Sequence, residues 1–257
     1  FDIDGVLYNA GQPIPGAVEA VRQVREWGIP HRFLTNTSTL SRADLAARLG
    51  QFGLPTEPEE ILHPPSAAAH WLRERTPRGV ALFLPPSAVQ EFVGLPLLPQ
   101  EAESGADVVV IGDLGDEWDF AALNRAFRLL HAEPSATLVA LGMTAYWHAR
   151  DGLRLDVGPF AVALAMAADR EPVVLGKPAR PFFEEAVAAL GLAPDEIVMV
   201  GDDVVGDVGG AQRVGMRGVL VRTGKFRAGD LDRGITPDAV LDSVASLPAW
   251  WQQQTGE

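Results

Sequence analysis

The 257-residue chain contains no cysteine, which removes disulfides, thiolate nucleophiles and cysteine-based zinc sites from consideration. Positive charge is scarce as well. Lys and Arg number 21 against 34 Asp and Glu, a formal charge of -13, and such a surface repels nucleic-acid backbones and anionic membranes at long range. An anionic ligand therefore needs positive charge concentrated at its own site. Long apolar runs are missing too: the stretch Val157 to Ala168 covers twelve residues and includes Gly158 and Pro159, against the roughly 20 that a bilayer span requires. Internal repeats and low-complexity tracts are absent, and 47% hydrophobic with 21% charged residues is ordinary globular composition. These features predict a soluble protein with no nucleic-acid and no membrane partner, and the cytoplasm as its default compartment.

What is present is an alternation of short apolar strands and amphipathic helices. Ala17, Val18, Val21, Val24 and Trp27 fall close to helical spacing, with Gly28 placed to stop the helix. A strand at His31 to Leu34, a helix from Ser41 to Leu49, a strand near Ile61 and a helix from Ser66 to Arg75 follow. This is the pattern of a parallel sheet covered by helices. From about Thr76 the texture changes, with strands at Val80 to Leu84, Val108 to Ile111 and Thr137 to Leu141 and helical stretches at 87–93 and 119–131. The alternation resumes with Val173 to Leu175, a helix from Pro181 to Leu190, the strand Ile197 to Val200, a helix near Asp207 to Val214 and the strand Val219 to Val221. The expected fold is α/β: a doubly wound, Rossmann-like parallel core over residues 1–76 and 173–257, with an inserted α/β cap over 77–172. Strands separated by an insertion can return side by side, so that their carboxyl ends converge on one crevice. Because the chain opens at Phe1 and runs at once into Asp2, the first strand is expected to begin upstream.

Four segments, each after an expected strand, carry chemistry. Asp2 and Asp4 sit at i and i+2 and project to one side of a strand end, where like charges are costly unless a cation or proton neutralises them. Thr35, Asn36, Thr37 and Ser38 offer a hydroxyl, an amide and backbone N–H groups as phosphate donors. Lys177, in Gly176-Lys177-Pro178, can present an ammonium to an anion. Asp202, Asp203 and Asp207 place three carboxylates within six residues, a hard oxygen set suited to magnesium and unsuited to zinc or copper. Each segment alone also fits a bland role as a turn, a cap, a surface lysine or an acidic loop. Their order and shared context favour a common site.

In these motifs the chain resembles the haloacid dehalogenase (HAD) superfamily, whose four motifs are an Asp-x-Asp pair, a Thr or Ser, a Lys, and a Gly-Asp-Asp with a further Asp. The insertion between the second and third motifs, with Asp4-Gly5-Val6-Leu7 and Pro15-Gly16-Ala17, resembles subfamily IIA, the branch of nitrophenyl, phosphoglycolate and pyridoxal phosphate phosphatases. Within it, the runs Gly201 to Arg213 and Arg222-Thr223-Gly224-Lys225-Phe226-Arg227 look most like the phospholysine phosphohistidine inorganic pyrophosphate phosphatases. Those relatives typically carry serine where this chain has Asp4.

The resemblance implies a magnesium-dependent phosphatase acting on a small phosphorylated metabolite through an aspartyl phosphate. Asp2 would be the nucleophile and Asp4 the general acid and base; Thr35, Asn36 and Lys177 would bind the transferring oxygens. Asp2, the Asp4 carbonyl and Asp202 would hold Mg2+, with Asp203 and Asp207 orienting waters or Lys177 or, either of them, ligating the metal directly. A phosphomutase, or a pyrophosphate or phosphoamide hydrolase, would use the same scaffold. A dehalogenase is disfavoured by Asp4 and Asp202. A non-hydrolytic phosphoacceptor signalling module shares the residue types but not the insertion.

The cap segment Tyr146-Trp147-His148, in a loop with no acidic residue before Asp151, is expected either to contact the leaving group or to pack inside the insertion. The histidines at 31, 63, 70, 131 and 148 show no spacing suited to a metal pair. Trp250-Trp251 reads as closing a core or an oligomer contact such as a homodimer.

Overall fold

Local sequence sets the elements, and the computed structural model describes residues 1–9, 11–149 and 152–255. The chain divides into two compact units. The first comprises Phe1–Thr35, Leu45–Leu62 and Lys177–Glu257, the second Asn36–Asp44 and His63–Gly176.

In the first unit the strands form a parallel series. Phe33–Leu34 pairs with Ile61–Leu62, and Val198–Gly201 pairs with Arg217–Val221, which pairs with Ala239–Leu241. The opening residues join the two sets: Asp2 N–H donates to the Val200 carbonyl at 2.8 Å, and Ile3 N–H donates to that of Leu34 at 3.2 Å. Asp2 is thereby fixed between backbone neighbours on both sides, in an isolated parallel bridge with Leu34. The helix Ala17–Glu26 buries Ala17, Ala20, Val21 and Val24, an i, i+3, i+4, i+7 stripe. Arg180–Leu190 buries Phe182, Phe183 and Ala186 and ends at Gly191. No helix among the described residues is long and apolar enough to cross a membrane.

The second unit is built on four parallel strands in the order Val173–Val174, Thr137–Ala140, Val108–Ile111, Val80–Phe83. Strand alternation explains its two cores. Val108 and Val110 face the helix Pro64–Arg75 through Ala68, Ala69 and Leu72, whereas Val109 and Ile111 face Leu129, Leu130, Ala161 and Leu164 of the helices Phe120–Ala132 and Val157–Ala168. A sheet covered on both faces reads as unbroken Val and Ile. Shortening one of these fully buried leucines to alanine would cost about 2–5 kcal/mol.

Two placements differ from the sequence expectation. Val173–Val174 does not resume the core series: it pairs with Thr137–Ala140, and Leu175 is buried in the second unit's core. The helix expected from Ser66 begins at Pro64, because the His63 ring accepts the Ser66 N–H and caps it, and it packs on this same sheet. Val173–Val174 is only two residues long and Pro64–Arg75 buries a small Ala-rich face, and periodicity does not say which of two neighbouring sheets such a segment joins.

Candidate active site

Gly201 ends a buried strand, and the backbone then turns through Asp202 and Asp203 into a six-residue π-helical stretch, Val204–Gly209. Asp203 caps that turn, its Oδ1 accepting the Val205 N–H at 3.0 Å and the Gly206 N–H at 2.8 Å. The Asp203 N–H donates to Asp207 Oδ2 at 3.1 Å, which aims Asp207 back along the strand end. A Cβ at Gly201 would collide with the Asp207 side chain, so the missing side chain makes the close approach possible.

Lys177 lies between two of the acids. Its ammonium is 2.5 Å from Asp2 Oδ1 and 2.8 Å from Asp207 Oδ1, and the Lys177, Asp2 and Asp207 side chains are at most 7% exposed. Burial alone would lower the Lys177 pKa, but the Asp2 and Asp207 carboxylates outweigh it and raise the ammonium above its ordinary value. Lys177 is therefore a fixed cation at neutral pH.

One lysine does not balance the site. Ligand oxygens of Asp2, Asp202 and Asp207 all lie within 4.8 Å of one another. Burial, followed by the charge of Asp2, pushes Asp202 up to about 8, and the same two causes push Asp207 up to about 6. Asp202 Oδ1 is buried and has no hydrogen-bond partner among the described residues. A buried carboxylate with one unpaired oxygen, set beside two more carboxylates, is unfavourable as it stands. The residues thus fit a hard divalent cation: an all-carboxylate oxygen set, crowded negative charge and an orphaned oxygen.

Asp4 stands apart from that cluster. It is exposed, and Thr35 Oγ1 donates to its Oδ2 at 3.4 Å. Thr35 itself is 1% exposed and is tied by its N–H to the Leu62 carbonyl. Within the first unit Asp2, Lys177, Asp202 and Asp207 form one cluster with Asp203 bonded to Asp207, and Asp4 and Thr35 form a separate pair. Asn36 belongs to the second unit, where a Cβ on Gly176 would crowd its Oδ1.

Tyr146 and Trp147 also lie in the second unit, on a two-stranded antiparallel hairpin, Tyr146–Ala149 with Gly152–Leu155. They are 55% and 42% exposed, so neither ring is fully enclosed. The His148 side chain lies outside the described residues. Trp250 and Trp251 are half-buried on the helix Leu247–Thr255, with the Arg217 guanidinium 5.5 Å above the Trp250 ring.

Sequence reasoning gave Thr223 and Lys225 no role, yet both reach the site. Thr223 Oγ1 donates to the Gly5 carbonyl and the Lys225 N–H donates to Asp202 Oδ2, each at 2.5 Å. The available signal was a Thr-Gly pair one residue beyond a strand.

Two family models match the chain: haloacid dehalogenase-like hydrolase over residues 1–95 and HAD-hydrolase-like over residues 174–247. A phospholysine phosphohistidine inorganic pyrophosphate phosphatase of Xenopus laevis is 37% identical over 251 residues, covering 95% of this chain and 90% of the relative. The haloacid dehalogenase-like hydrolase domain-containing protein 2 of Bos taurus is 39% identical over 232 residues, covering 90% and 86%. Among solved structures, a p-nitrophenyl phosphatase from Archaeoglobus fulgidus superposes with a TM-score of 0.88 at 31% identity over 97% of both chains.

Proposed function

Because the chain belongs to the haloacid dehalogenase-like hydrolase family, we propose that it is a magnesium-dependent phosphatase that transfers the phosphoryl group of a small phosphorylated metabolite first to Asp2 and then to water. The observation that carries this reading is the buried Asp2–Lys177–Asp207 array with Asp202 beside it. It joins a carboxylate nucleophile, a permanent cation and an oxygen set with room for a divalent ion.

In the first half of the cycle an Asp2 carboxylate oxygen attacks phosphorus, forming an acyl phosphate as the bond to the leaving oxygen breaks. Asp4, exposed and held by Thr35 at 3.4 Å, gives that oxygen its proton. In the second half Asp4 takes a proton from water, which attacks phosphorus, releases inorganic phosphate and restores the Asp2 carboxylate. The Lys177 ammonium attracts the phosphoryl oxygens and holds Asp2 in place. Asp207 keeps Lys177 protonated and aligned. Asp2, Asp202 and the Asp4 carbonyl would hold magnesium, which supplies the positive charge that lets a carboxylate approach a phosphate.

A second reading, hydrolysis of pyrophosphate or a phosphoamide, is favoured by the 37% identity to a relative with that name. The family membership also sets a phosphoacceptor signalling role aside. A screen with magnesium of nitrophenyl phosphate, phosphoglycolate, pyridoxal phosphate, pyrophosphate and phosphohistidine separates the substrate classes. Phosphate release equal to loss of substrate distinguishes hydrolysis from mutase chemistry. Asp2→Asn should abolish turnover while leaving the melting temperature close to that of the parent. Near-normal hydrolysis by this variant would overturn the covalent route.

A further inference from the structure

The loop after the strand Arg217–Val221 is tied to the acidic cluster through contacts that no catalytic step above uses. Asp202 has two carboxylate oxygens in different circumstances. Oδ2 accepts the Lys225 N–H at 2.5 Å, whereas Oδ1 is buried without a partner among the described residues. Side chains at Gly5 or Gly224 would collide with Asp202 Oδ2, and both glycines have positive φ, 84° and 59°. Asp202 is therefore held at one oxygen by an N–H and walled by two bare backbone positions.

The wall is itself braced. Thr223 Oγ1 donates to the Gly5 carbonyl across a sequence separation of 218 residues, joining this loop to the turn that follows Asp2 and Asp4. On the other side, Arg227 Nη1 donates to the carbonyls of Lys225 and Phe226 at 3.0 and 2.7 Å. These donations set the path of the loop and so the direction of the Lys225 N–H.

We propose that Thr223, Gly224 and the Lys225 main chain form a clamp that positions Asp202, holding Oδ2 so that Oδ1 is presented to the cation; this rests on the metal-dependent reading above. Thr223 and Lys225 are positioning residues, acting on the metal through Asp202 and touching no reacting atom. Partners one shell out from a ligand set its orientation, and their loss typically weakens metal affinity by about 10–100-fold. The Lys225 ammonium is not part of the clamp: it lies 3.9 Å from Asp203 and its side chain is 69% exposed.

The test is magnesium binding by titration calorimetry, beside kcat and KM at saturating magnesium and the metal-free melting temperature. Thr223→Val keeps the shape and removes the hydroxyl; Thr223→Ser restores it. Thr223 is only half-buried, so the valine can be accommodated, and Thr223→Ala removes the same donor if it is not. The valine variant should bind magnesium about tenfold more weakly and recover most of its kcat once magnesium is saturating. The serine variant should bind as the parent does. Parent-like affinity in Thr223→Val, or equal weakening in valine and serine variants, overturns the clamp. If the parent itself binds no magnesium, the metal-dependent reading fails instead, and the two failures are told apart by that control.

Discussion

Replacing Asp202 with asparagine should stabilise the metal-free protein, by an amount that grows with pH. The Asp202 carboxyl is pushed up to about 8, first by burial and then by Asp2, while in an unfolded chain it titrates near 3.9. Between those values the folded state holds a proton that the unfolded state has released. The contribution is fully present below the unfolded value and is lost as pH rises toward 8, at about 1.4 kcal/mol per pH unit for one proton. Asp207, pushed up to about 6, acts with the same sign at lower pH. Asparagine keeps an oxygen for the Lys225 N–H but has nothing to titrate, so this loss disappears. In a chain of this size 1 kcal/mol moves the melting temperature by roughly 2–4 °C, and the gap between variant and parent should widen by about 3–6 °C per unit between pH 6 and 8. His63, whose buried ring is lowered to about 4, titrates with the opposite sign but is common to both proteins and cancels in the difference. Scanning calorimetry at pH 6, 7 and 8 in a chelator measures the gap. Magnesium should then raise the parent's melting temperature, most strongly at pH 8, and leave the asparagine variant nearly unchanged. A gap independent of pH, or a variant less stable than the parent at pH 8, would refute the reasoning.

Three further outcomes follow from the same geometry. Asp4→Asn should slow phosphoryl transfer from an alkyl phosphate by about 10²–10⁴-fold and from nitrophenyl phosphate far less, since nitrophenolate leaves without a proton; equal losses in pre-steady-state assays would remove Asp4 as the acid. Calcium should restore activity poorly to the chelated enzyme, because its larger and less regular oxygen shell misplaces the nucleophile and phosphate, and full activity in calcium alone would contradict the magnesium assignment. Trp147→Ala should reorder kcat/KM among phosphate esters while lowering stability by much less than the about 3–5 kcal/mol of a buried tryptophan, given that the ring is 42% exposed. An unchanged ranking would exclude Trp147 from substrate selection.

Local chemistry made much of this legible in the sequence. The helix Ala17–Glu26 was announced by its apolar stripe and by Gly28, and Val108–Ile111 by its run of branched residues. The four motifs were readable because each is contiguous and those at Thr35, Lys177 and Asp202 follow strands. Placement of Val173–Val174 and Pro64–Arg75 was not, since their choice of sheet depends on packing that no local period encodes. The capping role of His63 was hidden for a related reason: a buried imidazole at a helix start has the composition of any other histidine until its partners, Ser66 and the Leu40 carbonyl, are known.

The limit of sequence reading at the site is one of pairing. Asp207 could be assigned to water or to Lys177 by residue type alone, and only the fold brings its Oδ1 to 2.8 Å from the ammonium. Asp2 and Lys177 are 175 residues apart, and Thr223 and Gly5 are 218 apart. Nothing in either spacing announces a contact. Yet the residue types constrain the answer once the contacts exist. Three buried carboxylates and one ammonium leave excess negative charge, which must be relieved by protons or by a cation. Protons would have to be shed as the cycle proceeds near neutral pH, because Asp2 attacks only as a carboxylate. A divalent ion relieves the same charge while keeping Asp2 ionised. The arrangement that makes the metal-free site unfavourable, with Asp202 Oδ1 buried and unpaired, is therefore the arrangement that a metal-dependent phosphoryl transfer requires.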